Sequence, residues 1–415
     1  MSQDSTDAAV GMAPAGQGKR MDMTVLLCGL ITYGIGQSLL YVIFGPMARD
    51  LGLSESQFGI LISVSNVAIV LTAPWWGRKS QDVGRKPIFI LGLVGYAVGY
   101  AGLAVGIQLG ISNVVSVSTS MLAPLFLLLL GARLIYGSMA SAIQPAATAY
   151  IADTTDAAGR TKGMALVGMT AGLGTIIGPI FGGVLARFGA LLPMYVAATL
   201  SLIAAIAAAK YIKEPKRHVD ITKAKVKLSW FDPRIFPYLL GWFIGFMVFT
   251  AVQVITAFMV VDRLGLTTQT EVRDAVMFAL LCMGVVNVIV MITLLQKIKV
   301  APVILLRIAF ILLGLVFFFL SQATTPWMFF LSYAGIGLAF SLATPSLNSA
   351  ASLAVEDHEQ GSVAGLLAAA PTLGMIFGPA GGAFLYQINT ALPMYVSGTL
   401  SILLGIFFFF VKVKK

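Results

Sequence analysis

An arginine stands where arginine is hard to keep. Arg133 falls about twelve residues into an apolar stretch that begins near residue 121, roughly 18 Å deep at the rise of an α-helix. A guanidinium at that depth is too far in to snorkel. It costs at least a few kcal/mol and turns toward a bundle interior or an aqueous cavity. Arg307, by contrast, follows Pro302 by only five residues, near enough to a helix end for its head to reach water. Tyr33, Gln37 and Tyr41 stand at i, i+4 and i+8 and so share one face of a helix. The amides of Gln37 and Gln253 lie inside apolar runs, where each needs a partner or water. Such groups recognise and orient a guest molecule; they do not make or break bonds. The clustered His, Asp or Cys of an enzyme centre is missing from the apolar runs, so no enzyme, metal or cofactor is expected. Cys28 and Cys282 have no ligand spacing, and His218 and His358 fall in polar stretches. No G-x-x-x-x-G-K-[ST] phosphate loop occurs, which disfavours ATP drive.

The elements that must carry these residues follow from composition. Of 415 residues 58% are apolar and 11% charged, against roughly 25% charged in soluble domains. So few charges cannot cover a soluble surface, and lipid must replace water as the outer solvent. Soluble enzymes, secreted disulfide scaffolds and disordered chains are excluded. Long unbroken apolar runs also exclude a β-barrel, whose strands alternate polar and apolar residues. The reading is an all-α membrane protein, since a helix needs about 20 apolar residues to cross the hydrocarbon core. Twelve spans are predicted, in two groups of six. The first group lies near 23–47, 58–76, 87–107, 121–151, 163–186 and 192–212, the second near 235–260, 275–295, 302–320, 327–353, 362–386 and 392–411.

With the N-terminus inside, most of the 27 Lys and Arg residues fall on cytoplasmic segments. This bias sets topology and places both termini in the cytoplasm of a cell that holds the chain in its inner or plasma membrane. Anionic lipid headgroups suffice as partners for the net charge of +10, and nucleic acid is not needed. Residues 1–22 read as a disordered tail, 23–212 as one bundle, 213–234 as a cytoplasmic linker, 235–411 as a second bundle and 412–415 as a short basic tail. A monomer is expected.

The two bundles carry one ancestral sequence. Leu191–Ile206 and Ala391–Ile406 are identical at nine of sixteen positions without a gap. Gly174, Gly178, Pro179 and Gly182 recur as Gly374, Gly378, Pro379 and Gly382, and Pro145 as Pro345. Six spans per copy return the second bundle in the same orientation, so the two are related by an axis along the membrane normal.

Three segments then carry a resemblance to the major facilitator superfamily over nearly the whole chain from about Met23. Gly77-Arg-Lys-Ser-Gln-Asp-Val-Gly84-Arg85-Lys86 resembles its G-x-x-x-D-R-x-G-R-[RK] loop, with Gln81 at the acid's usual place and Asp82 one position later. Arg133-Leu-Ile-Tyr136-Gly137 is similar to the R-x-x-q-G element of drug:proton antiporters. Gly174-x-x-x-Gly178-Pro179-x-x-Gly182-Gly183 is similar to the signature that marks antiporters. The resemblance implies two pseudo-symmetric six-helix bundles alternating access to a central site. It implies a latch at Gly77, Asp82, Gly84, Arg85 and Lys86, whose carboxylate would face a helix N-terminus. It implies a seam at Gly174, Gly178, Pro179, Gly182 and Gly183 on which the halves rock, with packing at its copy Gly378 and Pro379.

It also places a substrate cavity between spans one, four, seven and ten. The residues there are Tyr33, Gln37, Tyr41, Arg133, Tyr136, Gln144, Trp242, Phe246, Gln253 and Asn348, with Phe243 and Tyr333 beside them. Aromatic faces with a few amides suit a bulky amphipathic compound. The expected activity is export of such a compound in exchange for protons. All seventeen acids lie in tails, loops or span ends, so the proton-coupling candidates are Arg133, Asp50, Asp262 and Asp274. Two alternatives stay open: a dedicated exporter of a natural metabolite such as a siderophore, and a facilitated uniporter, which the missing mid-span carboxylate favours. A channel would need rings of like groups at a constriction, and none is seen.

Overall fold

In hydrocarbon every backbone N–H and C=O must be satisfied within its own segment, which leaves helices as the form these apolar runs can take. The computed structural model describes residues 15–115, 123–155, 157–215, 228–293 and 300–411, and all of its regular structure is helical. The helices of the first half are α1 (Ala15–Met47), α2 (Glu55–Val83), α3 (Arg85–Ile111), α4 (Pro124–Ala140), α5 (Ile143–Thr154), α6 (Ala157–Leu185) and α7 (Leu192–Tyr211). Those of the second are α8 (Phe236–Leu264), α9 (Gln269–Thr293), α10 (Pro302–Ser321), α11 (Pro326–Leu353), α12 (Gln360–Ile388) and α13 (Leu392–Phe410). Eleven crossings are long and apolar enough to span a membrane by their described residues, with α4 and α5 counted as one; α6 is the twelfth. Six helices open with proline in the first turn (α4, α7, α8, α10, α11 and α13), where a missing N–H costs nothing. A capping box starts α2: the Ser54 hydroxyl accepts from Gln57 N–H while the Gln57 side chain accepts from Ser54 N–H.

The fourth span departs from the single helix expected over 121–151. It breaks between α4 and α5, where Ala142 N–H bonds to the Met139 carbonyl in place of Ser138. The freed Ser138 carbonyl accepts from the Trp76 indole at 2.6 Å and from the Thr72 hydroxyl at 3.3 Å. The expected tail boundary at residue 22 falls inside α1, which begins at Ala15. Residues 1–14, most of the linker (216–227) and the terminal basic stretch (412–415) lie outside the described residues.

The pairing of helices repeats between halves. In the first, α1 packs on α6 and α3 on α7; in the second, α8 packs on α12 and α10 on α13. The halves meet through α2 against α12, α6 against α9, and α1 against α8 and α9. Large apolar side chains such as Leu71, Phe188, Ile206, Trp327, Phe384 and Phe410 point outward, a surface that lipid covers and water would not.

Candidate functional site

The start of α1 and the end of α13, an even number of crossings apart, lie at one end of the bundle, called here the terminal end. Among the described residues, every hydrogen bond, ion pair and ring contact between the halves lies toward the opposite, far end. At that rim the Arg49 guanidinium bridges Glu55 at 2.7 Å and Asp262 of the other half at 2.6 Å. The Tyr386 hydroxyl donates to the same Asp262 carboxylate at 2.8 Å. Beneath the charges sits an aromatic plug in which Phe58 meets Phe44 at 5.1 Å and Phe258 at 5.7 Å. On the other side of the bundle Arg187 pairs with Asp274 at 3.1 Å, and Arg273 donates to the Ala186 carbonyl.

The deepest of these ties explains a proline. Pro379 has no N–H, so the Met375 carbonyl one turn earlier lacks its helical donor. The buried amide of Asn66, across the interface on α2, supplies it at 2.8 Å. Ala380 N–H donates to Ser63 Oγ at 3.1 Å beside it. Pro379, expected as a packing position, thus marks a contact between the halves. Among the described residues the hydrogen bonds joining α2 to α12 lie at this level or nearer the far end, so the ties between the halves gather at the far end.

Asn66→Ala removes a cross-half bond worth about 1 kcal/mol, which changes the closed-to-open ratio of the far end by about fivefold. In protein with Cys28 and Cys282 replaced by serine, a cysteine at buried Ala383 reports the change. An impermeant thiol reagent applied from the far end is expected to label it correspondingly faster.

Arg133 is 3% exposed. Its Nε donates to the Leu61 carbonyl on α2 at 3.2 Å, and its guanidinium lies over the Tyr136 ring at 4.9 Å. Around it stands a cluster of tyrosines. Tyr96 stacks on Tyr100 at 5.0 Å, both lie within 5.6 Å of Tyr136, and Tyr33 meets Tyr96 edge-on at 6.0 Å. Gln37 and Tyr33 are half-buried and joined, the amide donating to the phenol oxygen at 2.8 Å; Tyr41 is buried next to them on α1. The second half offers an apolar wall: Trp242 lies 5.4 Å from Phe246, which meets Phe340 at 5.8 Å, while Phe249 meets Phe340 at 5.0 Å. Gln253 is half-buried on the same helix.

Gln144 and Asn348 do not join these groups. They are exposed on α5 and on the last turns of α11, toward the terminal end. Tyr333 is buried and shares a 2.5 Å hydrogen bond with Thr256. Tyr96, Tyr100, Asn66, Phe249, Phe340 and Arg49 escaped the sequence reading. Only Asn66 carried a signal there, as an amide inside an apolar run.

Of the carboxylates considered, Asp262 and Asp274 both tie the halves together, Asp262 through Arg49. Asp274 pairs with Arg187, and Asp50 is exposed in the turn after α1.

The glycine-bracketed loop is rearranged relative to expectation. Gly77 lies inside α2, with nothing closer than 4.0 Å to where a Cβ would stand, so it forms no turn. Gly84 alone turns the chain, at φ +121°, a conformation that favours glycine. The carboxylate at the α3 N-terminus is that of Glu214, which accepts from Arg85 N–H at 2.6 Å and Lys86 N–H at 3.0 Å; the side chain of Asp82 is exposed. Arg85 pairs with Asp153 at 2.8 Å, and Lys86 Nζ donates to the Ala209 carbonyl. All of these ties stay within the first half, at the terminal end. At the end of the linker Arg234 bridges Asp232 and, in the second half, Glu359, each at 2.8 Å, and its hydrogen bonds hold both carboxyls below their usual range.

The glycine string is also placed differently. Gly174, Gly178 and Gly182 press on α1 of their own half, not on the other half; only Gly183 reaches across, to Met277. Gly378 repeats the arrangement against Thr250 and Met247 of α8. The seam is thus internal to each half and keeps that half rigid.

Comparison with known proteins agrees with this architecture. The chain is 27% identical over 385 residues to multidrug resistance protein 2 of Bacillus subtilis (strain 168), covering 90% of this chain and 91% of that protein. It is 26% identical over 372 residues to the class B tetracycline resistance protein of Escherichia coli, covering 87% of each. Among solved structures, a bacterial homologue of the human lysosomal transporter Spinster superposes with a TM-score of 0.71 at 14% identity, covering 96% of this chain and 97% of that one. The family model of the Major Facilitator Superfamily matches residues 26–379 and 302–415. The chain is a multi-pass membrane protein, and it belongs to the major facilitator superfamily.

Proposed function

We propose that this protein is a secondary transporter that exports small amphipathic molecules, drugs among them, by alternating access in exchange for protons. The observation that carries the reading is the one-sided meeting of the halves. Rigid bundles whose described ties lie at the far end would leave a crevice between a wall bearing Arg133 and tyrosines and a wall of Trp242, Phe246, Phe249 and Phe340. Relatives named for multidrug and tetracycline resistance support export as the direction. The bacterial relatives support a plasma membrane, and the distribution of Lys and Arg supports both termini in the cytoplasm, so that the terminal end, where the crevice opens, faces inward. Two rigid halves moving about a midplane site is the motion this architecture suits. Domain limits at 23–212 and 235–411, joined by the 213–234 linker, complete the proposal.

A second reading, facilitated uniport, is favoured by one specific observation: in the described spans the acidic residues sit at or near the ends, leaving no mid-membrane proton carrier. Everted vesicles energised by respiration separate the two. Accumulation of tetracycline or a lipophilic dye that collapses with a protonophore is expected. Accumulation only to the external concentration, indifferent to the protonophore, would replace antiport by uniport. No transport above vesicles lacking the protein would remove both.

A further inference from the structure

Around Arg133 the first half buries donors without acceptors. Arg133 spends Nε on the Leu61 carbonyl, and among the described residues no carboxylate or other acceptor takes its two terminal nitrogens. No ion pair among the described residues includes it. The buried hydroxyl of Tyr136, whose ring lies under the guanidinium, has no hydrogen-bond partner, and neither has that of Tyr96. Tyr33 accepts from Gln37, which leaves its own O–H to donate. A buried cation without a countercharge is costly, and a fold that keeps one among unused donors is short of an anion. The planar guanidinium fork matches a carboxylate in two parallel bonds. The facing wall supplies only apolar and aromatic surface for the rest of the guest.

We propose that Arg133, with the hydroxyls of Tyr136 and Tyr33, receives the carboxylate of an amphipathic aromatic anion whose body lies against Trp242, Phe246 and Phe340. This assignment rests on the reading of the crevice as a transport site and narrows its guests to anions. The countercharge that the protein lacks is then brought by the cargo. Loading is therefore tied to charge, while body shape is read loosely by packing.

Equilibrium binding to the full chain in lipid nanodiscs tests the assignment apart from transport, with empty nanodiscs subtracted. The probes are pyrenebutyrate, its methyl ester and pyrenebutylamine: one skeleton as anion, neutral molecule and cation. The intact protein is expected to bind the carboxylate at least about tenfold more tightly than the other two. Arg133→Gln is expected to abolish that preference, and Arg133→Lys to keep part of it. Tyr136→Phe, which removes only a hydroxyl, is expected to weaken the carboxylate about threefold and leave the ester unchanged, so the assignment stays testable should the arginine variants misfold. Equal binding of amine and carboxylate, or a preference that survives Arg133→Gln, would overturn it. Loss of the preference in excess chloride would also overturn it, giving the site to a small inorganic anion. Selective binding with no flux in everted vesicles would leave the anion site standing and remove the transport reading instead.

Discussion

Arg133→Ala is expected to reduce transport about 100-fold, the loss of two charge-assisted hydrogen bonds, while the protein inserts and folds as before. Folding survives for a structural reason. The bond lost within the protein is that to the Leu61 carbonyl, which also accepts from the Ser65 hydroxyl at 3.0 Å, so no acceptor is orphaned. Removing a buried charge that has no carboxylate partner takes away a cost, unlike breaking a buried pair. Flux into everted vesicles, normalised to protein that elutes as a single species in detergent, measures both halves of the expectation. Full flux would strip Arg133 of its role. Loss of folded protein would assign it to structure.

Gly178→Leu is expected to act in the opposite way, on the fold and not on the motion. A Cβ at Gly178 would stand 1.9 Å from Ser38 Oγ and 2.6 Å from the Ile35 carbonyl of α1. The second of these is backbone and cannot swing aside. The wedge also separates Ser38 Oγ from the Gly174 carbonyl, to which it donates at 2.7 Å. Overpacking of this kind costs about 3 kcal/mol or more. A clear drop in thermal midpoint and in yield of monodisperse protein is expected. Gly378→Leu, which would meet Thr250 Oγ1 at 2.1 Å and the Met247 carbonyl at 2.4 Å, is expected to do the same to the second half. Gly183→Ala meets only the flexible Met277 side chain and is expected to leave stability nearly unchanged. If the leucine variants fold normally and merely turn over slowly, the seam is a sliding surface after all.

How far the sequence could carry the argument depends on what each signal encodes. Charge in an apolar run is a strong statement about depth, and Arg133 lies where its neighbours required. Glycines spaced by four announce a close approach but carry no address. Gly174, Gly178 and Gly182 could have faced the other half, and the fold turns them to α1. The helix N-terminus at Arg85 plainly needed an acid, yet Glu214 lies 129 positions away, and only the return of α7 brings it there. Asn66 was visible as an amide, but its acceptor exists because Pro379, in the other half, leaves Met375 without a donor. Pro145 and Pro345 look alike in the sequence. Only the first sits beside a broken helix, where Trp76 and Thr72 take up the freed carbonyl; the helix around Pro345 runs on unbroken. Partners contributed by distant helices were the part no local pattern could supply.

The central claim is that the far end must part for the guest to leave. At that rim Ser56 Oγ and the Gln387 side chain are 2.5 Å apart across the two halves. Cysteines at both positions, in protein with Cys28 and Cys282 changed to serine, can be joined by a short bis-thiol reagent and released by reduction. Joined protein is expected to bind guest from the terminal end yet transport none, and reduction is expected to restore the full rate. Transport at the unjoined rate by quantitatively cross-linked protein would contradict alternating access through this gate.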